Sequence, residues 1–278
     1  MEPLTLGYSP CPNDTFIFTA WVEGQIGGAP PVRERLEDIE TLNRLALSGE
    51  LDVAKVSFHA FGHLRDRYCL LRSGGALGRG CGPLVVAREA WAPQALAGKR
   101  IAIPGVLTTA ALLLRLFAPD ARDLRLMPFH RIMAATRDGD VDAGVIIHES
   151  RFTYPSYGLR QVIDLGAWWE QETGHAIPLG GIVMRRDLGA DLIEQTDHAL
   201  AQSVAFAHAH PAVVWPTVRR HAQEMDDNVM RRHIALYVND FTQDYGPEGE
   251  AAIRYLLDTA EQLDIVPRSE QPLFVEGA

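Results

Sequence analysis

The sequence predicts an α/β protein of two similar lobes, and three observations predict it. Short apolar strands alternate with helical runs up to about residue 187, the pattern of open, mostly parallel sheets. Two small units, strand followed by turn and helix, and helix followed by glycine and strand, each occur twice. After Asp187 the chain reads as helix alone, which gives it material to return and cover the first lobe. With 278 residues there is enough chain for two modest cores.

Thr5 to Tyr8 reads as a short buried strand, and Ser9-Pro10-Cys11-Pro12-Asn13-Asp14 as a turn whose Asn13 or Asp14 caps a helix from Thr15 to Val22. Leu42 to Leu47 is helical and ends at Gly49, which supplies a left-handed residue before Glu50-Leu51-Asp52 and a strand running from Val53 towards Ser57. Gly74 to Gly80 is expected to be a mobile loop, and Gly82 to Arg88 a strand passing between lobes. Arg100 to Ile103 repeats the first strand; Pro104-Gly105 turns, and Thr108-Thr109 caps the helical run Ala110 to Phe117. Ile132 to Thr136, Gly139-Asp140-Val141-Asp142 and the strand towards His148 repeat the second unit. Gly181 to Arg186 echoes Gly82 to Arg88. Helices follow over Ala190 to Ala209, from Pro211, over Asp227 to Tyr237 and over Glu248 to Leu263. The expected lobes are 1–87 with 188–278, and 88–187 as an insertion.

Composition removes several classes of function. The net charge of −10 is spread along the chain and no Lys or Arg run could track a phosphate backbone, so nucleic acid is not the expected partner. The first residues carry no basic segment, apolar stretch or cleavage site of a signal peptide, and no apolar run approaches the ~20 residues that span a bilayer, so no membrane partner is expected. Cys11, Cys69 and Cys81 are odd in number and lack Cys-x-x-Cys spacing, which fits reduced thiols in a cytoplasmic protein.

In open sheets of this kind ligands sit beyond the carboxyl ends of the strands, which directs attention to a cleft between the lobes. The helix starts at Asn13-Asp14-Thr15 and Thr108-Thr109-Ala110 offer backbone N–H groups suited to a carboxylate or phosphate. Lys55-Val56-Ser57 ends one strand with an ammonium and a hydroxyl that can meet an anion. His148 directly follows another, where an imidazole with a pKa near 6.5 suits a general base. His59 and His63 have helical spacing but no third ligand, so no metal site is assigned. The glycine-rich loop lacks Gly-Lys-Ser/Thr, Gly-x-Ser-x-Gly is absent, and Trp168-Trp169 reads as packing.

Ser9-Pro10-Cys11-Pro12-Asn13-Asp14-Thr15-Phe16, together with Ile146-Ile147-His148-Glu149-Ser150-Arg151-Phe152-Thr153-Tyr154, resembles the 1,4-dihydroxy-6-naphthoate synthases of the futalosine route to menaquinone. Arg72 to Gly80 and Asp164 to Trp169 extend the likeness over essentially the whole chain. The resemblance implies the fold of type 2 periplasmic binding proteins, two lobes joined by a hinge, and a lyase reaction that converts cyclic dehypoxanthinyl futalosine to 1,4-dihydroxy-6-naphthoate, with no metal or other cofactor. It implies His148 as the base, Lys55, Val56, Ser57, Thr109 and Ala110 as holders of a small carboxylate substrate, and Ser9, Asn13 and Asp14 lining the site. Two other readings stay open from sequence: the chorismate dehydratase of the same pathway, and a non-catalytic carboxylate sensor. Whether the chain pairs as a homodimer is also open.

Overall fold

The structure is a computed structural model that describes residues 2–222 and 226–275. In chain order its elements are β1 (Leu4–Tyr8), α1 (Pro12–Val22), β2 (Val32–Leu36), α2 (Ile39–Ser48), β3 (Val53–Ser57), α3 (Phe58–Gly62), β4 (Tyr68–Leu70) and β5 (Ala76–Gly78). Next come β6 (Leu84–Ala87), β7 (Ile101–Ile103), α4 (Thr109–Phe117), β8 (Leu124–Leu126), α5 (Phe129–Asp138), β9 (Ala143–Ile146), α6 (Ser150–Thr153), β10 (Arg160–Asp164) and α7 (Leu165–Thr173). The chain closes with β11 (Ile177–Arg185), α8 (Ala190–Ala209), α9 (Pro211–His221), α10 (Asp227–Tyr237), α11 (Asp240–Gln243) and α12 (Gly246–Gln262).

The chain forms two units, Met1–Gly78 with Pro178–Ala278, and Arg79–Ile177. The crossings therefore fall after Gly78 and Ile177, not after Ala87 and Asp187 as the sequence suggested. Strand pairing is the reason. β6 lies between β9 and β10 in the second unit's sheet, whereas β11 lies between β3 and β4 in the first. Each strand buries both faces where it is inserted, and no local pattern tells which sheet will take it.

The first sheet has the order β2-β1-β3-β11-β4, with β5 on β11; the second has β10-β6-β9-β7-β8. Pairings among β1, β2 and β3 and among β7, β8 and β9 are parallel, but β11 runs antiparallel to β3 and β4, and β6 to β9 and β10. The sheets are thus mixed, where the sequence suggested mostly parallel ones. In the first unit α1 packs on α8, α9 and α10, burying Phe16, Ile17, Phe18 and Trp21 against Leu200, Val204, Val214 and Val218. Leu84, Val86, Ala102, Ile132 and Ile146 form the matching core of the second.

Helix ends follow from local chemistry. Thr108 caps α4 by accepting from the Ala111 N–H at 3.2 Å, worth about 1 kcal/mol. At α1 the expected cap is displaced: Pro12 opens the helix, Cys11 is the N-cap with no side-chain bond, and Asn13 and Asp14 lie in the first turn. Proline at the first helical position removes a donor that had no partner there, and that preference overrides the Asn and Asp signal. The expected loop at Gly74 to Gly80 contains the buried strand β5, held by Asn239 Nδ2 donating to the Leu77 carbonyl at 3.0 Å.

Candidate active site

Both sheets are anchored by the same clasp. Gly49 ends α2 at φ 78° and Gly139 ends α5 at φ 86°, conformations that glycine adopts without strain. Three residues later, Asp52 Oδ2 accepts from the Thr5 N–H at 2.9 Å, and Asp142 Oδ2 accepts from the Arg100 N–H at 2.9 Å. The Asp52 and Asp142 N–H groups return bonds to the Thr5 and Arg100 carbonyls. These acids set the register of β3 on β1 and of β9 on β7, and so decide which residues emerge at the carboxyl ends of the strands. Those residues are Ser9 and Ser57 in the first unit, and Thr108 and His148 in the second.

In the first unit the end of β1, the start of α1 and the middle of β3 converge on one buried ion pair. Lys55 Nζ donates to Asp14 Oδ1 at 2.8 Å, with side chains only 6% and 3% exposed. Asp14 also accepts from Asn13 Nδ2 at 2.9 Å, Ser9 Oγ at 2.7 Å and the Ser9 N–H at 3.2 Å. Four donors match its four lone-pair positions, which offsets the cost of burying the charge. Ser57 is held by Asn43, whose Oδ1 accepts from the Ser57 N–H at 2.9 Å and whose Nδ2 donates to its Oγ at 3.2 Å. Gly180 and Gly181 of β11 face Ser57 and Val56 across the sheet. A Cβ at Gly180 would meet the Val56 carbonyl oxygen at 2.9 Å and Lys55 Cε at 3.2 Å, so the lysine stem lies where only glycine leaves room.

In the second unit Thr109 and Ala110 open α4, both buried, in the turn whose leading N–H groups have no partner within the helix. His148 follows β9 after one residue and adopts φ 56°, the left-handed region, which for a histidine costs about 1–2 kcal/mol. The surroundings hold it there. Phe129 of α5 meets the imidazole edge to face at 5.1 Å. Three residues on, Arg151 donates to the Gly82 carbonyl at 2.6 Å and to Asp164 Oδ2 at 2.6 Å, tying the segment to the β6 and β10 ends. The imidazole itself is half-buried, beside buried Glu149 and Ser150.

Most of the residues singled out from sequence therefore lie at strand ends or helix starts, with Lys55 and Val56 inside β3. Ser9, Asn13, Asp14, Lys55 and Ser57 gather in the first unit, with Val56 in the sheet beside them; Thr109, Ala110 and His148 lie in the second. Sequence reasoning missed Asn43, Gly180, Phe129 and Arg151, which support these groups. The Gly180-Gly181 pair inside a β-rich run was the one readable signal, since paired glycines in a strand mark close approach. The His59 and His63 rings lie tilted to each other with centroids 5.6 Å apart, and among the described residues no three His, Cys, Asp or Glu side chains group to hold a metal. Nor is any described helix long and apolar enough to cross a membrane.

Known proteins resemble this chain over nearly its whole length. A protein of Thermus thermophilus named 1,4-dihydroxy-6-naphtoate synthase is 53% identical over 275 residues, covering 99% of this chain and 100% of its own. One of the same name from Streptomyces coelicolor is 49% identical over 271 residues, covering 96% and 95%. A solved structure from Archaeoglobus fulgidus superposes with a TM-score of 0.90 at 37% identity, over 95% of this chain and 98% of its own. The alkanesulfonate-binding protein of Xanthomonas axonopodis pv. citri superposes at 0.73 with 14% identity, over 96% and 95%, which shows the periplasmic-binding-protein fold alone. The family described as menaquinone biosynthesis matches residues 4–262. With conserved architecture, near full-length likeness and that match together, the chain belongs to the menaquinone-biosynthesis family.

Proposed function

We propose that this chain is a cytoplasmic 1,4-dihydroxy-6-naphthoate synthase, a lyase that converts cyclic dehypoxanthinyl futalosine to 1,4-dihydroxy-6-naphthoate with His148 as general base. The observation that carries the mechanism is the backbone of His148, held at φ 56° at the carboxyl end of β9 with its ring half-exposed. Strain of this kind persists where the surroundings impose it, and it aims an imidazole that a relaxed extended residue would point elsewhere. The two relatives named for this product support the reaction and substrate. Three reduced, buried cysteines and the biosynthetic role support the cytoplasm.

On this reading the start of α4 at Thr109 and Ala110 receives the substrate carboxylate, and Lys55 and Ser57 hold the substrate from the first unit. His148 takes one proton. Its loss opens the ring system and expels the sugar-derived three-carbon piece, and formation of the aromatic naphthalene makes the step downhill. The protein supplies orientation and one proton acceptor.

The test is an assay of wild type and His148→Ala with cyclic dehypoxanthinyl futalosine, following naphthoate by chromatography and substrate binding by calorimetry. Turnover by wild type, with kcat at least ~100-fold lower in the variant and binding retained, is the expected result. Wild type that binds substrate without turnover would instead make the chain a sensor.

A further inference from the structure

His233 lies on α10, fully buried, with Nε2 2.8 Å from Oδ1 of Asn13 at the start of α1. Its ring rests on Tyr237 of the same helix at 4.7 Å. The direction of this bond follows from the next one. Asn13 Nδ2 donates to Asp14 Oδ1 at 2.9 Å, so its oxygen must face His233, and His233 must carry the hydrogen on Nε2. An unprotonated Nε2 would set two lone pairs against each other and turn the amide away from Asp14.

Asp14 Oδ1 is also the oxygen that accepts from Lys55 Nζ at 2.8 Å. Asn13 and Lys55 thus share one acceptor, and the position of the amide limits where the ammonium sits. Asp14 is the one polar side chain bonded to Lys55 among the described residues, so two of its three N–H directions remain to be aimed.

We propose that His233 is a positioning residue for substrate binding. Its Nε2–H locks the Asn13 amide, the amide and Ser9 fix Asp14, and Asp14 directs the Lys55 ammonium towards the substrate. The proposal rests on the reading of Lys55 as a substrate-binding residue. It gives the helical segment after Asp187 a part in recognition, although that segment contributes none of the residues singled out from sequence.

The test is steady-state kinetics on folded variants, with circular dichroism as the check on fold. His233→Leu should raise KM about tenfold while kcat falls less than about twofold, the loss of one hydrogen bond in a charged network. His233→Gln places an amide N–H near the same point and should bring KM back to within about threefold of wild type. In an Asn13→Ala background, His233→Leu should add nothing, because the bond it breaks is already gone. A wild-type KM in His233→Leu overturns the proposal, and so does a folded His233→Gln whose KM stays as high as that of Leu. If His233→Leu does not fold, the Gln variant and Asn13→Ala decide: Asn13→Ala with wild-type KM overturns it. Lys55→Gln tests the reading beneath. Unchanged KM there removes Lys55 from substrate binding and takes the proposal with it; raised KM there, with none in His233→Leu, sinks the relay alone.

Discussion

The two units share a strand plan and a clasp, yet the strands that follow the clasps, β3 and β9, end in opposite ways. β3 runs straight into α3 through Ser57 at φ −69°, with Lys55 buried and already engaged by Asp14. β9 stops at Ile146, and His148 turns out at φ 56° with its ring half-exposed. The difference separates holding from reacting. A group that must present charge in one direction gains from burial and a fixed partner, since little reorganisation is then needed when the ligand arrives. A proton acceptor needs a nitrogen within reach of substrate, and a backbone kink delivers it without moving the sheet.

The largest test of this contrast is stability. Lys55→Met leaves the Asp14 carboxylate buried without a cation and should cost about 3–5 kcal/mol in urea unfolding, most of it recovered when Asp14→Asn is added. A loss under about 1 kcal/mol would mean that the pair is not the organised element described above. A smaller effect should change sign between the units. His148→Gly should be about 0.5–1 kcal/mol more stable than His148→Ala, because glycine accepts the left-handed backbone. At the end of β3, Ser57→Gly should be less stable than Ser57→Ala by a similar amount, because there the backbone is extended. Equal signs at both sites would erase the contrast.

An effect of similar size, set by pH, concerns the clasps. Arg100 bonds Asp142 at 2.8 Å and 3.2 Å and lowers its carboxyl from 3.8 to about 2. A carboxylate depressed in the folded state stabilises above its unfolded pKa, and that contribution disappears as pH falls through the folded value. With Arg100 half-exposed, solvent screening keeps it to about 1 kcal/mol. Asp142→Asn should therefore be about 1 kcal/mol less stable than wild type at pH 7, and the gap should close between about pH 4 and pH 2.

Local chemistry was legible in the sequence and pairing was not. The helices Ala190–Ala209, set between Gly189 and Pro211, and Asp227–Tyr237, capped by Asp226, have the expected bounds, and Thr108 caps α4 as its hydroxyl suggests. The two clasps were visible as Gly-x-x-Asp because each acts within one short stretch. The exchange of β6 and β11 between sheets could not be read, since both are buried apolar strands and partner choice is made far away in sequence. His233 stayed hidden for a related reason. Met230, His233 and Tyr237 recur at helical spacing on a buried face, where one histidine reads as core until its partner is known.

The insertion of β11 also orders events in time. Because it lies between β3 and β4, the first sheet stays divided until β11 has emerged from the ribosome, by which point the preceding stretch Arg79–Ile177 has emerged as well and can fold as a continuous piece. Through that interval β3 offers one unpaired edge, Val53-Ala54-Lys55-Val56-Ser57, to any passing chain. The lysine that ends up buried against Asp14 is the single charge on that edge, and on the nascent chain it guards an otherwise adhesive strand.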